Sequence, residues 1–509
     1  MSISRRGFAT AALAAAGGVW PSRLRALRPR PKLFLFLIAD QFRPVYLERL
    51  GRWPMASGFR KLLSEGIYYP NCQVCASSFT ASGLATLVTG AYPQLHGIVA
   101  DRWYDRKAIP HTVMEARANL LEASTLADEA VRTEDGRVDC RVYCVGLNEA
   151  QTTLLAGQSG AQVFWMDVTG QFTTRGHAPE WLAKNKLPSP ENFHDAKWFA
   201  LGAGKGVPPL RTLTFDEQKP EDFAALYRSS PFAQDAEFEF LRTLLNEERL
   251  GLGSTTDFVF VSLGSMELLG YETGSDSPLM GQMVLQLDRQ IQFTLEALGS
   301  LPKGGYNLVF AAAHGAPPEP PPARRAALTI GGESLARSIN KSLSDWLEKT
   351  GGKNTYVEKY VYPFLYLKPD AVRRQNVGLR GARKLVGELA LRQPGVAGYY
   401  TADGDCSHSG DWQRRFENSF HDVRSGDVML SYEMGAVEEF SVGRGVSYGS
   451  LYNYDTTVPL ILYGAQFGKK LIERTIELID VAPTIARAAG ISLPSSATGR
   501  TLEDAFAEA

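Results

Sequence analysis

The sequence predicts a doubly wound α/β fold, with a mostly parallel central sheet and helices on both faces. Three runs carry that prediction. Leu33–Ala39 (LFLFLIA), Asp257–Leu263 (DFVFVSL) and Asn307–Ala313 (NLVFAAA) are continuously apolar rather than alternating, which is the pattern of strands covered on both faces. Each run leads directly into a residue able to do chemistry: Asp40, Glu267 and His314. In open α/β sheets functional groups collect past the carboxyl ends of the strands, so these three side chains can converge on one point.

Residues 1–30 read as a targeting segment. Ser4-Arg5-Arg6-Gly7-Phe8 is a twin-arginine pattern, followed by the apolar run Ala9–Val19. That run is too short to span a bilayer and suits the apolar core of a bacterial export signal. The expected location is the periplasm or beyond, and residues 31–509 form the exported domain.

After the first strand the spacing predicts a helix over Ala56–Glu65. Ser77–Gly90 (SSFTASGLATLVTG) then runs from a polar loop into a helix with Thr80 at its start. Thr80 in that place caps free backbone N–H groups. The same helix end attracts an anion, and a hydroxyl beside it suits the nucleophile of a phosphoryl or sulfuryl transfer. A helix is expected over Leu121–Val131, and strands over Arg141–Val145 and Gln162–Met166. Residues 169–232 are rich in Pro, Gly and aromatics without periodicity, and read as an insertion capping the sheet. Helices follow over Ala236–Glu248 and Leu279–Leu298. The prolines from Pro317 to Pro322 carry the chain into an inserted subdomain over 329–400. Strands at Gly426–Ser431 and Thr457–Tyr463 and a helix at Ile479–Ala489 close the domain.

Composition narrows the function classes. Apolar residues make up 44% and charged residues 21% of 509, enough for a large buried core. The formal net charge is −1, with no basic stripe interleaved with aromatics, which sets nucleic-acid binding aside. No later run is apolar enough to span a membrane. The cysteines Cys72, Cys75, Cys140, Cys144 and Cys406 are odd in number, so at least one is unpaired within the chain; Cys72/Cys75 and Cys140/Cys144 are the candidate bridges. Asp40, Thr80, Glu267 and His314 together offer three oxygens and one nitrogen, a set able to hold one divalent cation.

Beyond spacing, the stretches LFLIADQFRPVYL, FTASGLATLVTGAYPQLHGIVADRWYD, DFVFVSLGSMELLGYETGSDSP, LVFAAAHG, VSYGSLYNYDTTVPLILYG and IDVAPTIARAAGI resemble the alkaline phosphatase superfamily, in its type I phosphodiesterase / nucleotide pyrophosphatase branch. The resemblance implies a sheet carrying two zinc ions at its strand ends. A Thr or Ser there attacks phosphorus, and metal-bound water clears the phospho-enzyme. Asp40 matches the first ligand aspartate, Thr80 the nucleophile and His314 the histidine of Asp-His-Gly, whose aspartate is Ala313 here.

The other zinc position departs further from the family. Its Asp-x-x-x-His reads Glu267 to Tyr271, and its late histidine reads Tyr448. A phenol ionises near pH ~10 and is a poor zinc ligand at neutrality, so a two-zinc centre is not expected. The family's substrate-binding asparagine is Asp101, which repels a phosphate. The Thr-x-x-Gly-His histidine is Leu84, and Asn148-Glu149-Ala150 stands where monoesterases carry cations. Two expectations follow. One is an exported pseudoenzyme that binds a small anionic ligand or an envelope partner. The alternative is a phosphoric-ester hydrolase using Thr80 and one divalent cation.

Overall fold

The computed structural model describes residues 30–507, apart from 51–56, 107–110, 114, 133–139, 159, 186, 188, 303, 319–327, 349–354 and 439–447. The twin-arginine segment lies outside the described residues.

The three apolar runs form the centre of the sheet. Strand β1 (Leu33–Ala39) is flanked in parallel by Thr256–Leu263 and Tyr306–Ala311. All seven β1 residues are fully buried; burying each large side chain is worth about 1.5–3 kcal/mol before conformational entropy is charged. In chain order the sheet also contains β2 (Ile67–Gln73), β3 (Cys140–Gly146), β4 (Gln162–Met166) and β5 (Phe172–Thr174). β6 is Thr256–Leu263, β7 is Tyr306–Ala311 and β8 is Thr457–Gly464. The order across the sheet is β2-β8-β7-β1-β6-β3-β4-β5, with two short strands beside β2. β7-β1-β6-β3-β4 are all parallel, whereas β8 and β5 run antiparallel to their neighbours. Ala39 registers with Leu263, and Ile38 with Ala311. Three adjacent strands therefore end level, and Asp40, Glu267 and His314 emerge side by side.

Four departures from the sequence reading have local causes. β2 carries Pro70, which ordinarily argues against a strand inside a sheet; the register with β8 shifts between Val458 and Leu460, so the proline sits at an irregularity of the ladder. The helix expected from Leu121 begins at Leu126, because Thr125 and Asp128 form a capping box. Val428–Tyr432, expected simply as a further strand, pairs with Phe364–Leu367 and Val396–Thr401 in a separate four-stranded sheet; that sheet extends well past residue 400. The stretch 169–232 is not without structure, since it contains β5, the hairpin Ala196–Trp198/Arg211–Leu213 and a helix over Pro220–Arg228.

None of the five cysteines is in a disulfide. Cys140 and Cys144 lie four residues apart on one strand, a span of about 13 Å that no disulfide bridges. Among the described residues no helix is long and apolar enough to cross a membrane.

Candidate active site

The helix that carries Thr80 is α1 (Thr80–Thr89). Thr80 is not its cap. Phe79, with extended backbone, occupies the N-cap position without a side-chain bond, and Thr80 is the first helical residue. Its hydroxyl turns away from the helix toward the strand ends, 2.7 Å from Glu267 Oε1 and 2.9 Å from His314 Nε2. Gly83 makes this approach possible: a Cβ there would overlap the Ala313 carbonyl oxygen and stand 2.7 Å from the Ala313 Cβ. The first turn of α1 therefore packs directly on the chain leaving β7.

Glu267 lies in the first turn of α2 (Ser265–Thr273), just beyond β6. Tyr271 follows four residues later, on the same helix face, and its hydroxyl donates to Glu267 Oε1 at 2.7 Å. Gln151, on a helix over Glu149–Ala156, donates its amide to Glu267 Oε2 at 3.0 Å. Tyr448 reaches in from the segment before β8. Its ring stacks on His314 with centroids 4.3 Å apart and planes 16° apart. Its hydroxyl touches that of Tyr271 and donates to Asp101 Oδ2 at 2.6 Å. Asp101 Oδ1 in turn accepts the Ala81 N–H at 2.8 Å. A carboxylate of the chain itself thus occupies a backbone donor of the α1 N-terminus. A small anionic ligand would meet that negative charge instead of the free donor.

The residues singled out from the sequence are therefore gathered in one place: Asp40, Thr80, Asp101, Glu267, Tyr271, His314 and Tyr448, with Ala313 donating its N–H to Asp40 Oδ1 at 3.1 Å. Sequence reasoning did not pick out Gln151. Its only signal was that it falls within the helix capped by Asn148.

Charge and protons can be counted along this chain of contacts. Burial lowers the His314 imidazole to about 4, so it is neutral at pH 7. Its Nδ1 lies 2.6 Å from the Gly315 carbonyl and carries the hydrogen, which leaves Nε2 bare and facing Thr80. Five contacts join His314 Nε2, Thr80, Glu267 Oε1, Tyr271, Tyr448 and Asp101 Oδ2 in sequence. The three hydroxyls bring three hydrogens to these contacts: Thr80 and Tyr271 donate to Glu267 Oε1, and Tyr448 donates to Asp101 Oδ2. Burial pushes the Glu267 and Asp101 carboxyls above their usual range, and these hydroxyl hydrogens partly offset that rise. Burial, and then the charge of Glu267, also push Asp40 well up.

The two implied metal positions fare differently. Asp40 Oδ2 is buried with no hydrogen-bond partner. That orphaned oxygen, the bare His314 Nε2 and the Thr80 hydroxyl are chemically suited to one divalent cation. Glu267 is not free to join them, since both of its oxygens already accept hydrogens. Among the described residues no group of three or more His, Cys, Asp or Glu side chains is arranged to hold a metal ion. At the Tyr271–Tyr448 side the residues do not fit a cation at all.

A cavity of about 1460 Å³ opens on this site. Asp101, Tyr271 and Tyr448 line it, together with Thr214–Lys219, Leu226 and Arg228 from the 169–232 segment.

Residues 34–435 match the sequence model of the type I phosphodiesterase / nucleotide pyrophosphatase family. The chain belongs to this family. It is 24% identical to alkaline phosphatase PafA of Elizabethkingia meningoseptica, over 94% of this chain and 94% of that one. It is 23% identical to alkaline phosphatase PhoV of Synechococcus elongatus, over 96% and 95% respectively. The crystal structure of wild-type PafA superposes with a TM-score of 0.78 at 22% identity, covering 95% of this chain and all of that one; at that identity the likeness establishes the fold.

Proposed function

We propose that this member of a hydrolase family is exported and impaired in phosphoric-ester hydrolysis, and that it serves in the cell envelope by binding. One observation carries the reading: the chain's own side chains occupy the places a reacting ester needs. Asp101 takes the Ala81 N–H, and Glu267, Tyr271 and Tyr448 satisfy one another around Thr80. Phosphate-ester hydrolysis is among the slowest uncatalysed reactions, so an enzyme must supply a very large stabilisation. In two-metal centres much of it comes from cations on both the attacking and the leaving oxygen. Here the second of those positions is held by neutral phenols beside buried carboxyls. Export rests on the twin-arginine segment at the N-terminus.

A second reading has its own support in the unpartnered Asp40 Oδ2. Asp40, Thr80 and His314 would hold one divalent cation, which would act as a Lewis acid on the Thr80 oxygen. In that reading the His314 Nε2 lone pair goes to the cation, and Glu267 Oε1 accepts from the Thr80 hydroxyl and orients it.

Turnover of aryl phosphate mono- and diesters by zinc-supplemented protein separates the two readings. The first expects no rate above that of Thr80→Ala. A zinc-dependent rate abolished by Thr80→Ala would establish the second in its place.

A further inference from the structure

The second metal position invites a closer look, because the residues there are not merely poor ligands. Every acceptor is already used. Glu267 Oε1 receives the Thr80 and Tyr271 contacts, Glu267 Oε2 the Gln151 amide, Asp101 Oδ1 the Ala81 N–H and Asp101 Oδ2 the Tyr448 hydroxyl. Across the site, Asp40 Oδ2 has no partner. One end of the chamber is left short of a positive group and the other is fully supplied by hydrogens.

Geometry points the same way. A zinc ion stands about 2.0–2.2 Å from each oxygen ligand, so two oxygens sharing an ion are held apart with the ion between them. The Tyr271 and Tyr448 hydroxyls are instead in direct hydrogen-bond contact. Their rings lie 5.4 Å apart, and the Tyr448 ring is pinned on His314. The spacing of Tyr271 from Glu267 along α2 holds the first phenol on its carboxyl.

We propose that the Tyr271–Tyr448 hydroxyl pair, bracketed by Glu267 and Asp101, is a built-in substitute for the second metal ion, so that this chain holds at most one divalent ion at the site. Shared hydrogens do the work a cation does elsewhere, screening two carboxyls from each other in a buried place. The inference does not depend on whether Thr80 is catalytic. A one-ion hydrolase and an inactive binding protein both satisfy it, so its failure is distinct from failure of the proposed function.

The test counts ions rather than turnover. Full-length protein is stripped with EDTA, reloaded with excess zinc, desalted and weighed by native mass spectrometry. The wild type is expected to retain no more than one zinc per chain, and Tyr271→Phe the same number, because neither phenol is a ligand. Tyr271→His/Tyr448→His exchanges both phenols for imidazoles and is expected to gain one zinc over the wild type in its folded charge-state envelope. Two zinc ions on the wild type, or a zinc lost in Tyr271→Phe, would overturn the proposal, as would a folded double variant that gains none. The wild type and Tyr271→Phe decide the matter if the double variant does not fold.

Discussion

Tyr448→Phe is the sharpest single probe of the hydrogen-bonded bridge. The substitution keeps the ring, and with it the stack on His314 at 4.3 Å, and removes only the oxygen. Two contacts go with it: the 2.6 Å bond to Asp101 Oδ2 and the contact with Tyr271. Asp101 keeps the Ala81 N–H on its other oxygen. Hydrogen bonds to charged groups are worth about 1.5–3 kcal/mol, so a loss of roughly 2 kcal/mol is expected when Asp101 is ionised. The sign of the pH dependence follows from the donor. Burial raises the Asp101 carboxyl, and the Tyr448 hydroxyl partly offsets that rise by favouring the ionised form. Without the hydroxyl the carboxyl rises further, so the variant keeps its proton to higher pH than the wild type. Its destabilisation therefore grows as pH increases. Urea titrations of wild type and variant at about pH 5.5 and pH 8.5, with equal slopes, read the difference as a shift in midpoint. An unchanged midpoint at both pH values, or a larger loss at the lower one, would refute the bridge as described.

Other perturbations follow from the same packing. Gly83→Ala drives a methyl into the Ala313 backbone; about 1–3 kcal/mol of stability should be lost, read by thermal unfolding. Glu237 is fully buried, with weak contacts to Gly264 N–H and Ser265 Oγ, and burial pushes its carboxyl up to about 8. The unfolded chain releases that proton near pH ~4.3, so the wild type loses stability as pH rises from about 4.3 to 8. Glu237→Gln should flatten that slope, by on the order of 4 kcal/mol over the window, and an unchanged slope would show that the proton is not held. Arg141→Met strands Asp257, fully buried and bonded to Arg141 at 2.7 and 3.0 Å; a loss of roughly 3 kcal/mol is expected in urea unfolding, less whatever the Gly251 N–H still supplies at 2.7 Å.

Much of this architecture was legible in the sequence because burial on two faces leaves a plain mark. β1, β6 and β7 read as unbroken apolar runs, and the residues after them had to emerge at one edge. β2 was not legible, since Pro70 contradicts a strand unless the partner ladder is irregular, and that irregularity belongs to β8. The same limit applied to Thr80. Helix-start chemistry makes a threonine a cap, but the close approach licensed by Gly83 turned its hydroxyl to Glu267 and His314. The tyrosines could be recognised as replacements for ligands, yet their mutual contact depends on elements 177 residues apart. Glu267 looked like a free ligand because neither Gln151 nor the Tyr271 hydroxyl could be placed on it from spacing alone.

Anomalous diffraction at the zinc absorption edge, from crystals soaked in zinc, tests the central claim most directly. The account predicts at most one peak, beside Asp40 and His314, with the space between Tyr271 and Tyr448 empty of metal. A second peak bound by Glu267 and the two phenolic oxygens would contradict it.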